Sequence, residues 1–251
     1  RFMGQELTGK TLGLVGVGNI GSIVADRALG IKLKVKAYDP FLTHERVKRL
    51  GIERVKTLEK LVTESDIISL HIPKTDKTRN IINASLIKKM KSTAILVNCA
   101  RGGLVDEKAL ANALKKKQIA AAAFDVFDLE PALDNPLFGL ENVVCTPHLG
   151  ASTSEAQVKV AVQVAEQIAD YLREGAITNS INSPSISAAE APLLKPWVKV
   201  SDVLGGFIGQ VIETGLKEIN IEYVGSVGEL NTRPLTCSIV ASILNPIVGL
   251  G

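Results

Sequence analysis

The chain has 251 residues, 46% hydrophobic and 22% charged, which suits one large packed domain or two smaller ones and excludes a disordered chain. A formal net charge of +3 is too small to argue for a nucleic-acid partner, and no apolar run reaches the ~18 residues that a membrane span needs. Three cysteines in apolar stretches, without metal-ligand spacing, predict buried free thiols in a reducing, cytoplasmic compartment and no metal site.

In chain order, the first two-thirds alternate short apolar runs with helical patterns. Residues 11–18 form an apolar run ending in glycines. A helix is predicted over 20–29, with Ile20, Val24, Ala28 and then Ile31 on one face. Residues 34–39 read as a strand, and 44–50 and 58–64 as helices. The pattern then predicts strand 66–72, helix 85–90, strand 94–99, helix 106–116, and strands 120–126 and 142–146. Runs apolar on both faces suit parallel strands covered by helices, so the fold class is α/β with a doubly wound parallel sheet of Rossmann type. The lysine clusters at 88–91 and 115–117 read as solvated helix faces.

A long amphipathic helix is predicted over 152–174, followed by a Ser-, Asn- and Pro-rich linker at 178–191. Residues 192–251 change character. They show a helical stretch over 197–216, an alternation that puts Ile219, Ile221 and Tyr223 on one strand face, and an apolar helix over 236–244. The expected organisation is a nucleotide-binding domain at 1–151, helix and linker at 152–191, and part of a small α+β domain at 192–251.

Gly16-Val17-Gly18-Asn19-Ile20-Gly21 fits G-x-G-x-x-G after a strand and at the start of a helix, and Asp39 ends the next strand about 20 residues on. Gly16 allows the tight turn, Gly18 admits the pyrophosphate, and Gly21 lets the helix pack closely. The helix N-terminus stabilises the phosphates. A carboxylate at Asp39 accepts hydrogen bonds from ribose hydroxyls and repels a 2′-phosphate, which selects NAD over NADP.

Four polar residues fall at or just past later strand ends, where open α/β sheets bind ligands: Arg101 beside Gly102-Gly103, Asp125 and Glu130 framing residues 125–131, and His148 in Thr146-Pro147-His148-Leu149-Gly150-Ala151. Beside a dinucleotide fingerprint these residues suggest a hydride-transfer enzyme: histidine suits proton transfer near neutral pH, and a guanidinium can hold a carboxylate in two-point geometry, which lysine cannot.

With the stretches 16–21, 70–73, 97–103, 125–131 and 146–153 in view, the chain resembles the D-2-hydroxyacid dehydrogenase family across most of residues 4–180. The resemblance implies that Arg101 binds the substrate carboxylate and carbonyl, that His148 is the acid/base and that Glu130 pairs with it. Asp125 would hold the nicotinamide carboxamide. Asn19, Ile20, Ile72, Cys99, Ala100 and the turn at Leu149, Gly150 and Ala151 would line the cofactor. Residues 182–196, 221–225 and 229–235 resemble the intervening domain of the long-form phosphoglycerate dehydrogenase branch of that family.

That branch implies a small 2-hydroxy acid substrate, 3-phosphoglycerate, oxidised with NAD in the first step of serine biosynthesis, by a homo-oligomer, dimer or tetramer. Another 2-hydroxyacid dehydrogenase, such as a hydroxypyruvate or glyoxylate reductase, and a non-catalytic NAD-sensing protein of the same fold are the alternatives. Against the family pattern, the substrate-domain segment of roughly a hundred residues is expected to be missing ahead of residue 1, and the intervening domain to be incomplete. Titration with each cofactor checks the Asp39 reading: NAD is expected to bind more tightly than NADP, and equal affinities would contradict it.

Overall fold

A computed structural model describes residues 4, 6–212 and 215–248, in two compact units divided between Thr153 and Ser154. The first unit is a seven-stranded sheet. Its strands are β1 (Thr11–Val15), β2 (Lys34–Tyr38), β3 (Glu53–Arg54), β4 (Ile67–Leu70), β5 (Ile95–Asn98), β6 (Ala121–Phe124) and β7 (Val143–Cys145). They are all parallel, in the order β3-β2-β1-β4-β5-β6-β7. Val15 lies opposite Tyr38 on one side and Leu70 on the other, so the strand order reverses around β1. The crevice above that reversal is where such sheets bind ligands.

The helices start where side chains take up their free N–H groups. Thr43 accepts from Arg46 N at the head of α2 (His44–Leu50), Thr57 from Lys60 N at α3 (Leu58–Glu64), and Asp106 from Ala109 N at α5 (Glu107–Lys115). Asn83 caps the short α4 (Ala84–Ile87). Gly51, at φ 65°, ends α2 in the left-handed conformation that favours glycine.

Alternate residues of β1 face opposite ways. Leu12 and Leu14 join Ala25 and Ala28 of α1 (Asn19–Gly30) in one core. Val15 joins Leu61, Val62, Leu96 and Phe124 in the other.

The buried face of α1 differs from the expected one. Gly21, Ala25 and Ala28 are buried, whereas Ile20 and Ile31 are 63% and 53% exposed. A Cβ at Gly21 would lie 2.3 Å from the Gly16 carbonyl oxygen, so the helix sits too close to the turn for branched side chains on that face. The thiols also depart from expectation. Cys99 and Cys237 are exposed and Cys145 is half-buried, because Cys99 lies one residue past β5, where the sheet opens.

The second unit holds α6 (Ser154–Glu174), α7 (Ala191–Val211), a 3-10 turn (Ser226–Glu229) and α8 (Arg233–Val248). The stretch expected as a linker folds back: Ile177 and Ile186 exchange two backbone hydrogen bonds, and Ile186 joins Ala176, Ala191, Leu194 and Leu235 in a small core. The helix expected over 197–216 runs Ala191–Val211; residues 213 and 214 lie outside the described residues, as do 249–251 at the tail.

The strand expected through Ile219, Ile221 and Tyr223 does not form. Alternation specifies which side chains share a face, but a strand also needs a ladder partner, and no described residue pairs with this stretch. Tyr223 instead packs on the small core, its hydroxyl 2.9 Å from Thr236 Oγ1.

Two glycines bring α7 and α8 together. A Cβ at Gly205 would lie 2.6 Å from the Ile239 carbonyl oxygen, and one at Gly209 would lie 2.5 Å from that of Ile243. Alanine in a helix gains about 1 kcal/mol over glycine, but a clash with backbone costs about 1–3 kcal/mol. Gly209→Ala is therefore expected to lower the stability of this unit, read as a lower urea midpoint followed by Trp197 fluorescence.

Candidate active site

The turn after β1 is built for an anion. Gly16 stands at φ 91°, and a Cβ there would meet the His71 carbonyl oxygen at 2.6 Å, so no other residue fits. Gly18 has open space where a Cβ would be, gives α1 no side-chain cap, and no acidic residue lies in the first helical turn. The helix N–H groups and dipole are thus left to a ligand phosphate. Asp39 secures this turn: one carboxylate oxygen accepts from Val17 N at 2.9 Å and the other from Phe41 N at 2.9 Å. These residues fit a dinucleotide.

Next to the turn, Asn19, Ile20, His71, Ile72, Pro73, Cys99, Ala100 and Arg101 line a cleft of about 290 Å³. Burial pushes the His71 imidazole below the usual histidine range, and its Nε2 lies 3.0 Å from Ser69 Oγ. Cys99, though at the surface, has its thiol pushed up by partial desolvation and then by the Asp125 charge, against a nucleophilic role. Arg101 is held through its backbone. The Asn98 side chain, itself buried, donates to the Arg101 carbonyl at 3.0 Å and accepts from Ala100 N at 3.1 Å. The exposed guanidinium donates to the Ala100 carbonyl at 2.6 Å.

His148 and Glu130 line a second hollow, of about 550 Å³, with Phe127, Pro131, Ala132, Phe138, Cys145, Thr146 and Pro147. His148 Nδ1 lies 2.7 Å from Glu130 Oε2, while Glu130 Oε1 accepts from Phe127 N at 2.9 Å. Burial works to raise the Glu130 carboxyl, but the Phe127 N–H and His148 outweigh it and hold it below the ordinary value. Glu130 is therefore an acceptor only at neutral pH, so the proton in this hydrogen bond lies on His148 Nδ1 and Nε2 is the ring nitrogen outside the pair.

His148 has φ 54°, a left-handed backbone that costs a non-glycine residue of order 1–3 kcal/mol. The turn is held in place by Asp125, only 4% exposed. Its Oδ1 accepts from Thr146 Oγ1 at 2.6 Å and Leu149 N at 2.9 Å, and its Oδ2 from Gly150 N at 2.8 Å. Burial tends to raise this carboxyl, and those three hydrogen bonds, with the nearby His148, bring it below the usual range instead. A carboxylate has about four acceptor positions, and three of them are used on the turn.

The candidate residues thus sit at the carboxyl edge of the sheet, on its turns or, for Asn19, Ile20 and Gly21, in the first turn of α1, with Arg101 in one hollow and the His148–Glu130 pair in the other. Sequence reasoning passed over Asn98 and Asp125's hold on the turn. A polar residue inside an apolar strand run, as at Val97-Asn98-Cys99, is the signal that could have found the first. Among the described residues no cluster of three or more His, Cys, Asp or Glu side chains could hold a metal, and no helix is long and apolar enough to cross a membrane.

Residues 1–150 match the profile of the NAD binding domain of the D-isomer specific 2-hydroxyacid dehydrogenases. The chain belongs to that family. Residues 193–249 match the D-3-phosphoglycerate dehydrogenase intervening domain. The chain is 43% identical to the D-3-phosphoglycerate dehydrogenase of Methanocaldococcus jannaschii over 251 residues, 100% of this chain and 48% of that protein. It is 40% identical to the enzyme of the same name from Bacillus subtilis over 247 residues, 98% of this chain and 47% of the other. It spans about half the length of the curated relatives it matches. Among solved structures, a glyoxylate reductase from Paecilomyes thermophila is similar at TM-score 0.65 and 31% identity, covering 72% of this chain and 54% of that one.

The Asp125 clamp has a pH signature. A carboxyl whose folded value lies below its unfolded value of about 3.9 contributes stability that is complete above the unfolded value and lost as pH falls through the folded one. Asp125→Asn is expected to cost about 2–3 kcal/mol at neutral pH. Urea denaturation at a series of pH values is expected to show wild type and variant converging below about pH 4.

Proposed function

We propose that this chain carries the site for NAD-dependent oxidation of 3-phospho-D-glycerate to 3-phosphohydroxypyruvate. The observation that carries the reaction type is the His148–Glu130 pair, 2.7 Å apart, formed between the loops after β7 and β6 at the sheet edge where the loop after β5 carries Arg101. The substrate rests on the match of residues 193–249 to an intervening domain of that enzyme type and on the names of the relatives.

Arg101 grips the substrate carboxylate, using the two-point geometry of a guanidinium. His148 Nε2 accepts the proton of the 2-hydroxyl as the C2–H bond breaks, and the Nδ1–H, donating to Glu130, keeps the ring in the tautomer that makes this possible. NAD, when bound, supplies the acceptor for the hydride. The first turn of α1 takes the dinucleotide phosphates, Asp39 the ribose hydroxyls, and Ile72, Cys99 and Ala100 the nicotinamide side of the cleft. Leu149, Gly150 and Ala151 follow the catalytic histidine on the same turn, with Asp125 offering its remaining acceptor to the carboxamide. Once C2 is a carbonyl, His148 passes the proton to solvent, and the reverse reaction uses the same steps in the opposite order. On this reading the protein works in the cytoplasm as a homo-oligomer, which rests on the family resemblance and on the unpaired cysteines.

Steady-state kinetics on the full chain, following NADH absorbance, test the assignment. His148→Ala is expected to lower kcat by about 10²–10⁴-fold. Arg101→Lys is expected to lower kcat/KM on the order of 100-fold despite the conserved charge. 3-Phosphoglycerate is expected to outcompete unphosphorylated glycerate; equal kcat/KM on the two would reject the substrate, and an unchanged His148→Ala rate would reject the mechanism.

A further inference from the structure

Three loops leave the carboxyl edge side by side: 71–80 after β4, 99–104 after β5 and 125–131 after β6. Asp128, two residues before Glu130, joins them. Its Oδ1 accepts from Lys74 Nζ at 2.8 Å and its Oδ2 from Arg79 Nη2 at 2.9 Å, so both oxygens are gripped by cations of the first loop. Its backbone N–H donates to Glu107 Oε1 at 2.9 Å, and Glu107 Oε2 accepts from Asn135 Nδ2 at 2.7 Å. Lys74 and then Arg79 hold the Asp128 carboxyl below the usual range despite its partial burial.

The middle loop is wedged under this grip. Gly103 stands at φ 76°, and a Cβ there would lie 2.6 Å from Asp128 Oδ1 and 2.9 Å from Lys74 Nζ. A Cβ at Gly102 would lie 1.7 Å from the Phe127 carbonyl oxygen, so the turn that carries Arg101 rests directly on the backbone of the Glu130 loop. The Gly103 carbonyl accepts from Asn80 N at 2.8 Å, which ties the first loop to the second as well.

We propose that Asp128 is a positioning residue: held by Lys74 and Arg79 across Gly103, it fixes the Arg101 turn against the Glu130 loop and so sets the spacing between anion clamp and acid/base pair. This rests on the roles given above to Arg101, Glu130 and His148. Asp128 is 42% exposed, and exposed ion pairs contribute little to global stability, so its effect belongs to geometry rather than to folding. A displacement of the order of 1 Å between groups that act on one substrate is enough to slow a reaction substantially.

The test is a double-mutant cycle on the full chain with 3-phosphoglycerate and NAD, using Asp128→Asn, Glu130→Gln and the double variant, with NADH affinity and urea midpoint measured on each. Asp128→Asn is expected to lower kcat about fivefold with NADH affinity unchanged. In the Glu130→Gln background it is expected to add less than in the wild type, because the Glu130 loop that it positions has already lost its function. The pair Lys74→Met with Arg79→Met, which leaves Asp128 in place, is expected to reproduce the loss and covers the case in which Asp128→Asn does not fold. A loss that multiplies in full in the double variant, or no loss in either Asp128→Asn or the lysine–arginine pair, would overturn the proposal. If Glu130→Gln alone leaves the rate intact, it is the acid/base reading that fails, and the positioning role goes with it.

Discussion

A parallel sheet ends at its carboxyl edge in turns whose backbone N–H groups have no ladder partner, and in three of these turns a polar side chain at a strand end takes them up. Asp125 is the one on which the rest depends. Buried among the strand ends, it accepts two backbone N–H groups and a threonine hydroxyl from the turn that carries His148, and so offsets the cost of a histidine at a left-handed φ. Asn98 does the same for the turn of Arg101, and Asp39 for the glycine turn. The site is thus positioned by three side chains at the ends of β5, β6 and β2, each fixed by the sheet behind it.

The electrostatics follow from that arrangement. Asp125 and Glu130 both titrate below their ordinary values because N–H and O–H donors outweigh burial, so both are acceptors at neutral pH. His71 is kept from charging by burial, which leaves no added cation on that wall of the cleft. The glycines complete the site by their absence of side chains: Gly16 and Gly21 let turn, helix and the loop after β4 close up, while Gly18 leaves the space above the helix N-terminus open.

Much of this was legible in the sequence, for physical reasons. Strands buried on both faces read as continuous apolar runs, and a glycine fingerprint between strand and helix has few other uses, so the sheet and its cofactor turn were expected. Asp39, Arg101, Glu130 and His148 could be picked out because charged residues at strand ends fall at one edge of the sheet. Asp125's hold on the His148 turn was not legible, since its partners lie more than 20 residues away and a carboxylate at a strand end suits a cap or a ligand equally. The short β3 has no apolar pattern to reveal it, both its residues being exposed. The face of α1 was misread because periodicity ranks residues by hydrophobicity, whereas the close approach at Gly21 selects them by size. The alternation at 219–223 named a face, but no described residue supplies a ladder partner, and the backbone there does not form a strand.

In the proposed reaction a hydride passes from C2 of a 2-hydroxy acid to the cofactor while His148 takes the hydroxyl proton. The most direct measurement is a single turnover of the full chain with 3-phosphoglycerate carrying deuterium at C2, the cofactor then being analysed by NMR and mass spectrometry. Deuterium at C4 of the reduced nicotinamide, with a slowed rate, is the expected result. Deuterium released to water, or none transferred because no reduced cofactor forms, would contradict it.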